Sequence, residues 1–301
     1  MSKTVVVMNA TAGMAGDRRE ELDRLAQYYG FPLQVPMESS DLSTMVRSLA
    51  AEAPSRILVA GGDGTVAQVA NAILPDYPQI ELAIIPLGTG NDLARSLDIP
   101  LDDMQLAFDI AATHAATPID VMLVEHGKVR YCLNAATGGL GAEVTASLGA
   151  ANKQLWGAFA YWFTAVGKLA DLHAFEIDLV IDTEPTHHRV FGLCVANGRY
   201  IGGGFPIAAQ AKLDDGWMDV LIVPEMPSLD LLGAGMNFML SGASERSGVT
   251  VQRAQRIEIQ SRPPLPFSLD GEASVAFNAV FEIIPKYLAC VAGSSPEGVE
   301  S

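Results

Sequence analysis

Over the first 120 residues, short apolar runs alternate with longer stretches of helical spacing. Thr4 to Asn9, Leu33 to Pro36, Ile57 to Ala60 and Leu82 to Pro86 read as strands. The segments from about Arg18 to Tyr29, Leu42 to Ala53, Val66 to Leu74, Asn91 to Leu97 and Met104 to Ala112 place apolar residues on one helical face. Such alternation with short connections predicts an α/β domain over residues 1–120, a doubly wound parallel sheet. After Pro118 the texture changes to Thr, Val, Ile and aromatic runs broken by Gly, Pro, Asp and Asn. Strands are expected at Asp120 to Glu125, Val129 to Ala135, Ile177 to Ile181, Val190 to Asn197, Trp217 to Val223, Ile257 to Gln260 and Val275 to Pro285. That pattern predicts an all-β unit over residues 121–285, a β-sandwich. Two helical stretches interrupt it, Lys153 to Leu172 and Ser228 to Leu240. The first is apolar nearly all round, which suits either a buried helix or one covering a lipid-binding cleft.

Two Gly-rich turns sit at strand-to-helix junctions of the first domain. Gly61-Gly62-Asp63-Gly64-Thr65 follows Arg56 to Ala60, and Pro86-Leu87-Gly88-Thr89-Gly90-Asn91-Asp92 follows Leu82 to Ile85. A helix start offers unpaired N–H groups to an anion, and glycine lets backbone approach phosphate oxygens closely. Dinucleotide folds want Gly-x-Gly-x-x-Gly and an acidic residue about 20 positions on. Here Asp63 and Asp92 lie inside the turns, and no Gly-Lys-Ser/Thr follows either one, so the P-loop reading fails too. A carboxylate beside phosphates implies an intervening cation, Mg²⁺. The alternative is two ordinary βα turns with Asp as helix N-cap.

Composition narrows the partners. The chain has 301 residues, 49% hydrophobic and 18% charged, enough for two domains with buried cores. A net charge of −16 argues against broad nucleic-acid binding and against general adhesion to anionic lipid, so any membrane contact would be local and transient. No apolar run reads as a membrane span, and Met1 to Thr4 leads straight into a strand without the pattern of a signal peptide, so a cytoplasmic protein is expected. Cys132, Cys194 and Cys290 sit singly in apolar runs, as buried thiols do. His187-His188, beside Pro185, is expected in an exposed hairpin turn.

The two turns, together with Asn134 to Gly141, Asp215-Gly216 and Leu269-Asp270-Gly271-Glu272, resemble the diacylglycerol-kinase catalytic-domain family, in its branch of bacterial soluble lipid kinases. The motifs span nearly the whole chain in the family's order. The resemblance implies a nucleotide-binding α/β domain, a β-sandwich substrate domain, an active site in the interdomain cleft, and a C-terminal segment from about residue 286 that returns to the first domain. It implies transfer of the γ-phosphate of ATP to a lipid hydroxyl, with Mg²⁺ as cofactor and a lipid substrate reached by transient contact at the membrane. It makes Glu272 the general base, although Asp270-Gly271 also reads as a plain hairpin turn. Asp63 and Asp92 become the Mg²⁺–ATP carboxylates, and Gly61, Gly62, Gly64, Thr65, Gly88, Thr89 and Asn91 line the phosphates. Arg95 would neutralise charge on the transferring group, or else form a surface salt bridge. A structural Mg²⁺ would be held by Asp215 and the carbonyls of Lys212 and Trp217, in what locally reads as a turn.

Two departures from the family's pattern stand out. Ala10 replaces the proline of its first turn, and Val66-Ala67-Gln68 replaces x-Asn-Glu after the first Gly turn. Gly-Gly-Asp-Gly is shared with NAD kinases, so one alternative is a kinase of NAD or another soluble alcohol; Ala67 and Gln68 motivate the other, a nucleotide- or lipid-binding regulator with weakened catalysis. Oligomeric state, a homodimer included, stays open.

Overall fold

Aliphatic runs buried on both sides make the first unit's sheet. The computed structural model describes residues 3–9, 18–36, 41–139, 173–227, 230–231, 233 and 248–293. The chain divides into two units, Met1–Ile119 with Lys286–Ser301, and Asp120–Pro285. In the first, β1 (Thr4–Met8) pairs in parallel with β2 (Leu33–Gln34) and with β3 (Arg56–Gly61), and β3 pairs in parallel with β4 (Glu81–Pro86). The helices are α1 (Arg19–Tyr29), α2 (Leu42–Ala50), α3 (Asp63–Ile73), α4 (Asp92–Ser96) and α5 (Met104–Thr113). Val6, Met8, Leu58, Ala60, Ala83 and Ile85 pack with Leu22 and Leu25 of α1 and Phe108 of α5. The alternate residues Val5, Val7, Ile57, Val59, Leu82 and Ile84 are buried as well. A sheet covered on both faces explains why these strands read as continuous apolar runs. β1 lies between β2 and β3, so the strand order reverses there, and Gly61 ends β3 at that point. Ligands of open α/β sheets bind off the carboxyl ends of strands at such a reversal.

The second unit is antiparallel. β5 (Ala116–Glu125), which leads into it, pairs with β6 (Val129–Cys132); β7 (Ala135–Gly139), β8 (Phe175–Ile181) and β9 (Glu184–Ala196) follow. Then come β10 (Met218–Pro224), β11 (Thr250–Ala254), β12 (Arg256–Leu269) and β13 (Glu272–Val291). Hydrogen bonding orders them β11, β10, β9, β7, β12, β13, with β8 joined to both β9 and β12. Along β8, Phe175, Ile177, Leu179 and Ile181 are buried while Glu176 and Asp178 are exposed, the period-two pattern of a sheet with one dry face. The last residues of β13 run in the first unit, where Cys290 pairs in parallel with Leu82.

Several expectations change. His187-His188 lies within β9, not in a turn; the turn is at Asp182-Thr183, and Pro185 is tolerated because residues 184–189 pair with β8 alone. Val129 to Ala135 is two strands, because the Asp270 carboxylate takes the backbone N–H groups between them. Ile257 to Gln260 continues through three prolines to Leu269, with a shift of register after Gln260. β11, four-fifths exposed, carries too weak an alternation to be read. Lys153 to Leu172 lies outside the described residues, and of Ser228 to Leu240 only Asp230, Leu231 and Gly233 are described, all helical. The three cysteines are free and buried. Among the described residues no helix is long and apolar enough to cross a membrane.

Candidate active site

In the first unit, the two Gly turns pack against each other. A Cβ on Gly88 would stand 2.4 Å from the Cα of Gly62, and one on Gly62 would stand 2.9 Å from the Cα of Gly88. Only two glycines permit that approach, and the Leu87 N–H, donating to Gly61 C=O at 3.0 Å, holds it. Each turn opens a helix. Gly62 is the N-cap of α3 and has no side chain with which to cap it, whereas Asn91 precedes α4 in the left-handed conformation, at φ 52°. Asn91 Oδ1 accepts from the Gly88 N–H at 3.0 Å, and its Nδ2 donates to Gly88 C=O at 2.7 Å, closing the second turn. Asparagine suits this place because its short amide reaches local backbone and tolerates positive φ.

Asp63 reaches from one turn to the other. Its Oδ1 accepts from the Leu93 N–H in the first turn of α4 at 3.1 Å. Burial pushes its carboxyl up, while the N–H groups of Leu93, Asp92, Asp63 and Asn91 pull the other way. Asp92 is buried, and Arg95 donates through Nε to Gly90 C=O at 3.3 Å. Thr65 is buried, and Thr89 is half-buried. The N-cap reading and the phosphate reading thus meet at Asp63, which caps α4 and leaves α3 uncapped. Beyond its chain neighbours and its own helix backbone, nothing described lies within 4 Å of where a Cβ on Gly64 would stand. An uncapped helix start facing open space fits an anionic ligand, and the carboxylates beside it fit a hard cation. Ala67 is buried, and Gln68 Oε1 is a buried atom without a hydrogen-bond partner, in the place where the family carries a glutamate.

In the second unit, Asp270 and Gly271 form a two-residue turn between β12 and β13, with φ of 46° and 89° and Leu269 opposite Glu272. Both residues at positive φ is the geometry that matches strand twist in a tight hairpin. Glu272, a third exposed, pairs with Arg130 of β6 at 2.5 Å. Asp270 is buried: its Oδ2 accepts from Leu133 N–H at 2.7 Å, and its Oδ1 from Asn134 and Ala135 N–H at 2.9 and 3.1 Å and from the Cys132 thiol at 3.3 Å. Burial pushes this carboxyl up against those bonds, and the same burial holds the Cys132 thiol protonated, well above its ordinary range. These contacts occupy the N–H groups between β6 and β7 and interrupt the ladder there. Neither Asp270 as a buried anchor nor Arg130 as the partner of Glu272 is legible in the sequence; the one signal is an acidic residue in a left-handed turn, where asparagine or glycine would serve as well.

At the turn before β10, Lys212 is exposed and Asp215 is half-buried. Asp215 pairs with Arg253 and accepts from the Trp217 N–H at 3.2 Å, and the Arg253 guanidinium lies 5.6 Å from the centre of the Trp217 ring. With one carboxylate oxygen on a guanidinium and the other on an amide, the turn as it stands does not fit a cation.

Residues 3–124 match the diacylglycerol kinase catalytic domain, and residues 134–292 match the YegS C-terminal NAD kinase beta sandwich-like domain. A Pseudomonas putida protein named "Probable lipid kinase YegS-like" is 33% identical over 95% of this chain and 94% of its own. A Pseudomonas aeruginosa protein of the same name is 32% identical over 84% and 82%. A crystal structure described as that of "a putative diacylglycerol kinase from Bacillus anthracis str. Sterne" aligns with a TM-score of 0.81, over 97% of this chain and 95% of that one; at 23% identity the likeness is one of fold.

Proposed function

The chain belongs to the diacylglycerol kinase catalytic-domain family and is a lipid kinase, and from that premise we propose that it transfers the γ-phosphate of ATP to a hydroxyl of diacylglycerol or a related lipid. The observation that carries the nucleotide assignment is the pair of turns packed glycine against glycine, with α3 uncapped and Gly64 facing open space. In this reading the N–H groups of Gly62, Gly64 and Thr65 and the hydroxyl of Thr89 hold phosphate oxygens, and Gly61, Gly88 and Asn91 hold the turns in shape. Asp63 and Asp92 hold Mg²⁺, which when bound supplies the charge that lets carboxylates and phosphates share the site. Arg95, fixed by its bond to Gly90, contributes positive charge beside the second turn. Glu272 takes the proton of the acceptor hydroxyl, and Arg130 orients it. The reading requires both units, since the nucleotide is assigned to the first and the base to the second. No step runs through a cation at Asp215. The lipid is reached from the cytoplasm by transient contact with a membrane.

The test is transfer of radiolabel from ATP to a panel of lipids, polyols and NAD, comparing wild type with Glu272→Gln. Labelling of a lipid by wild type, and a loss of about 10²- to 10⁴-fold in kcat with ATP binding retained, is the expected result. Label on NAD alone would overturn the lipid acceptor, and wild-type turnover by the variant would remove Glu272 from its role.

A further inference from the structure

A two-residue hairpin turn does not need a buried carboxylate. The left-handed conformation at position 270 is open to asparagine or glycine, and a carboxylate withdrawn from water costs stability unless it is hydrogen-bonded throughout. Asp270 is 7% exposed and receives four donors, three backbone N–H groups and one thiol, from the consecutive residues 132–135. Its own N–H donates to Ala135 C=O at 3.0 Å. Five bonds from one residue therefore bind the hairpin to a segment about 135 positions earlier in the chain. That segment begins two residues after Arg130, and the turn ends one residue before Glu272. The clamp sits between the two members of the Arg130–Glu272 pair, and a two-residue lever, about 7 Å of strand, separates it from each.

We propose that Asp270 is a positioning residue that acts through the turn to fix the carboxylate of Glu272 against Arg130; this rests on Glu272 being the base. The geometry explains why an acidic residue stands at a place where the turn alone asks only for tolerance of positive φ. A neutral amide keeps the turn but not the clamp. Asparagine has one acceptor oxygen, and its NH₂ would face the Leu133 N–H or the three donors on the other side, so at least one buried N–H loses its partner. The hairpin then shifts relative to β6. A displacement of about 1 Å at a reacting group costs on the order of 10²-fold in rate.

The experiment is a double-mutant cycle on phosphoryl transfer with Asp270→Asn, Glu272→Gln and the pair, in the full chain. Asp270→Asn is expected to lower kcat about 10- to 100-fold with the KM for ATP within about twofold, because the nucleotide site does not include it. In the Glu272→Gln background the same substitution is expected to change the residual rate by less than about twofold, since a residue that acts through Glu272 has nothing left to position. Wild-type kcat in Asp270→Asn, or an equal further loss in the Glu272→Gln background, would overturn the proposal. Wild-type turnover by Glu272→Gln alone would instead reject the base, so the two failures are distinct. If Asp270→Asn does not fold, Cys132→Ala, which removes one donor and leaves three, carries the same cycle. The expectation there is a twofold to threefold lower kcat that vanishes in the Glu272→Gln background, and an unchanged kcat would overturn the proposal.

Discussion

The turn region of the first unit and the hairpin region of the second are built by different means. In the first, each group that matters is placed by its neighbours: Asn91 bonds Gly88 three residues away, Asp63 opens the helix that follows it, and the parallel register of β3 and β4 brings the turns together. In the second, Glu272 is aimed by Arg130, 142 positions distant, and anchored through Asp270 on residues 132–135. Local turns and the parallel register make most of the first site, and one side chain, Asp63, bridges from its turn to the Leu93 N–H of the other. The second exists only when the whole antiparallel unit has formed, because its defining contacts have no local reason to form.

The comparison is broken most forcefully at Gly88. If the turns depend on glycine against glycine, Gly88→Ala places a methyl group 2.4 Å from backbone that has no free end to swing away. Overpacking of that kind costs about 3 kcal/mol, and urea unfolding of the variant is expected to show that loss of stability. An unchanged midpoint would mean that the turns do not rely on their close approach. Gly64→Ala asks the opposite question of the same motif. Its Cβ meets nothing described within 4 Å beyond its chain neighbours and its own helix backbone, and its φ is not positive, so the fold gives no reason for glycine there. Alanine in a helix gains about 0.5–1 kcal/mol over glycine, so the variant is expected to be as stable as wild type or more so. If the space belongs to phosphate, the KM for ATP should rise about 10-fold despite that gain. A stable variant with unchanged KM would remove the reason for calling the turn a phosphate cradle.

How much of each region was legible follows from the same difference. The parallel strands of the first unit are uniform apolar runs, and their helices keep a 3.6-residue spacing from Arg19 to Tyr29 and from Met104 to Thr113, so local pattern sufficed. In the second unit the prolines at 263, 264 and 266 hid half of β12, and Pro185 suggested a turn inside β9. Both are strand positions that tertiary pairing tolerates and propensity does not anticipate. Val129 to Ala135 carries no mark of the break at Leu133-Asn134, because the carboxylate that makes the break arrives from Asp270. Glu272 was legible only through the family's motif, and its partner Arg130 was not legible at all: a cation on a partly exposed strand is ordinary until its neighbour is known.

The smallest effect is expected at the turn before β10, where the resemblance to the family and the geometry diverge. The family implies a cation at Asp215, yet Arg253 already neutralises that carboxylate and stacks over Trp217. Arg253 is about half exposed, and pairs of that kind contribute about 1 kcal/mol or less, so Arg253→Ala is expected to lower stability by no more than that. Removing the guanidinium leaves a half-buried carboxylate accepting from the Trp217 amide alone, with one oxygen facing no cation. Hard divalent ions take such oxygens together with backbone carbonyls. If Arg253 occupies the place of the ion, millimolar Mg²⁺ should raise the melting temperature of Arg253→Ala by more than that of wild type, by linkage to binding at the vacated carboxylate. An equal rise in both would locate the stabilising ion elsewhere, such as at Asp63 and Asp92, and would leave Arg253 a surface partner of Asp215 and no more.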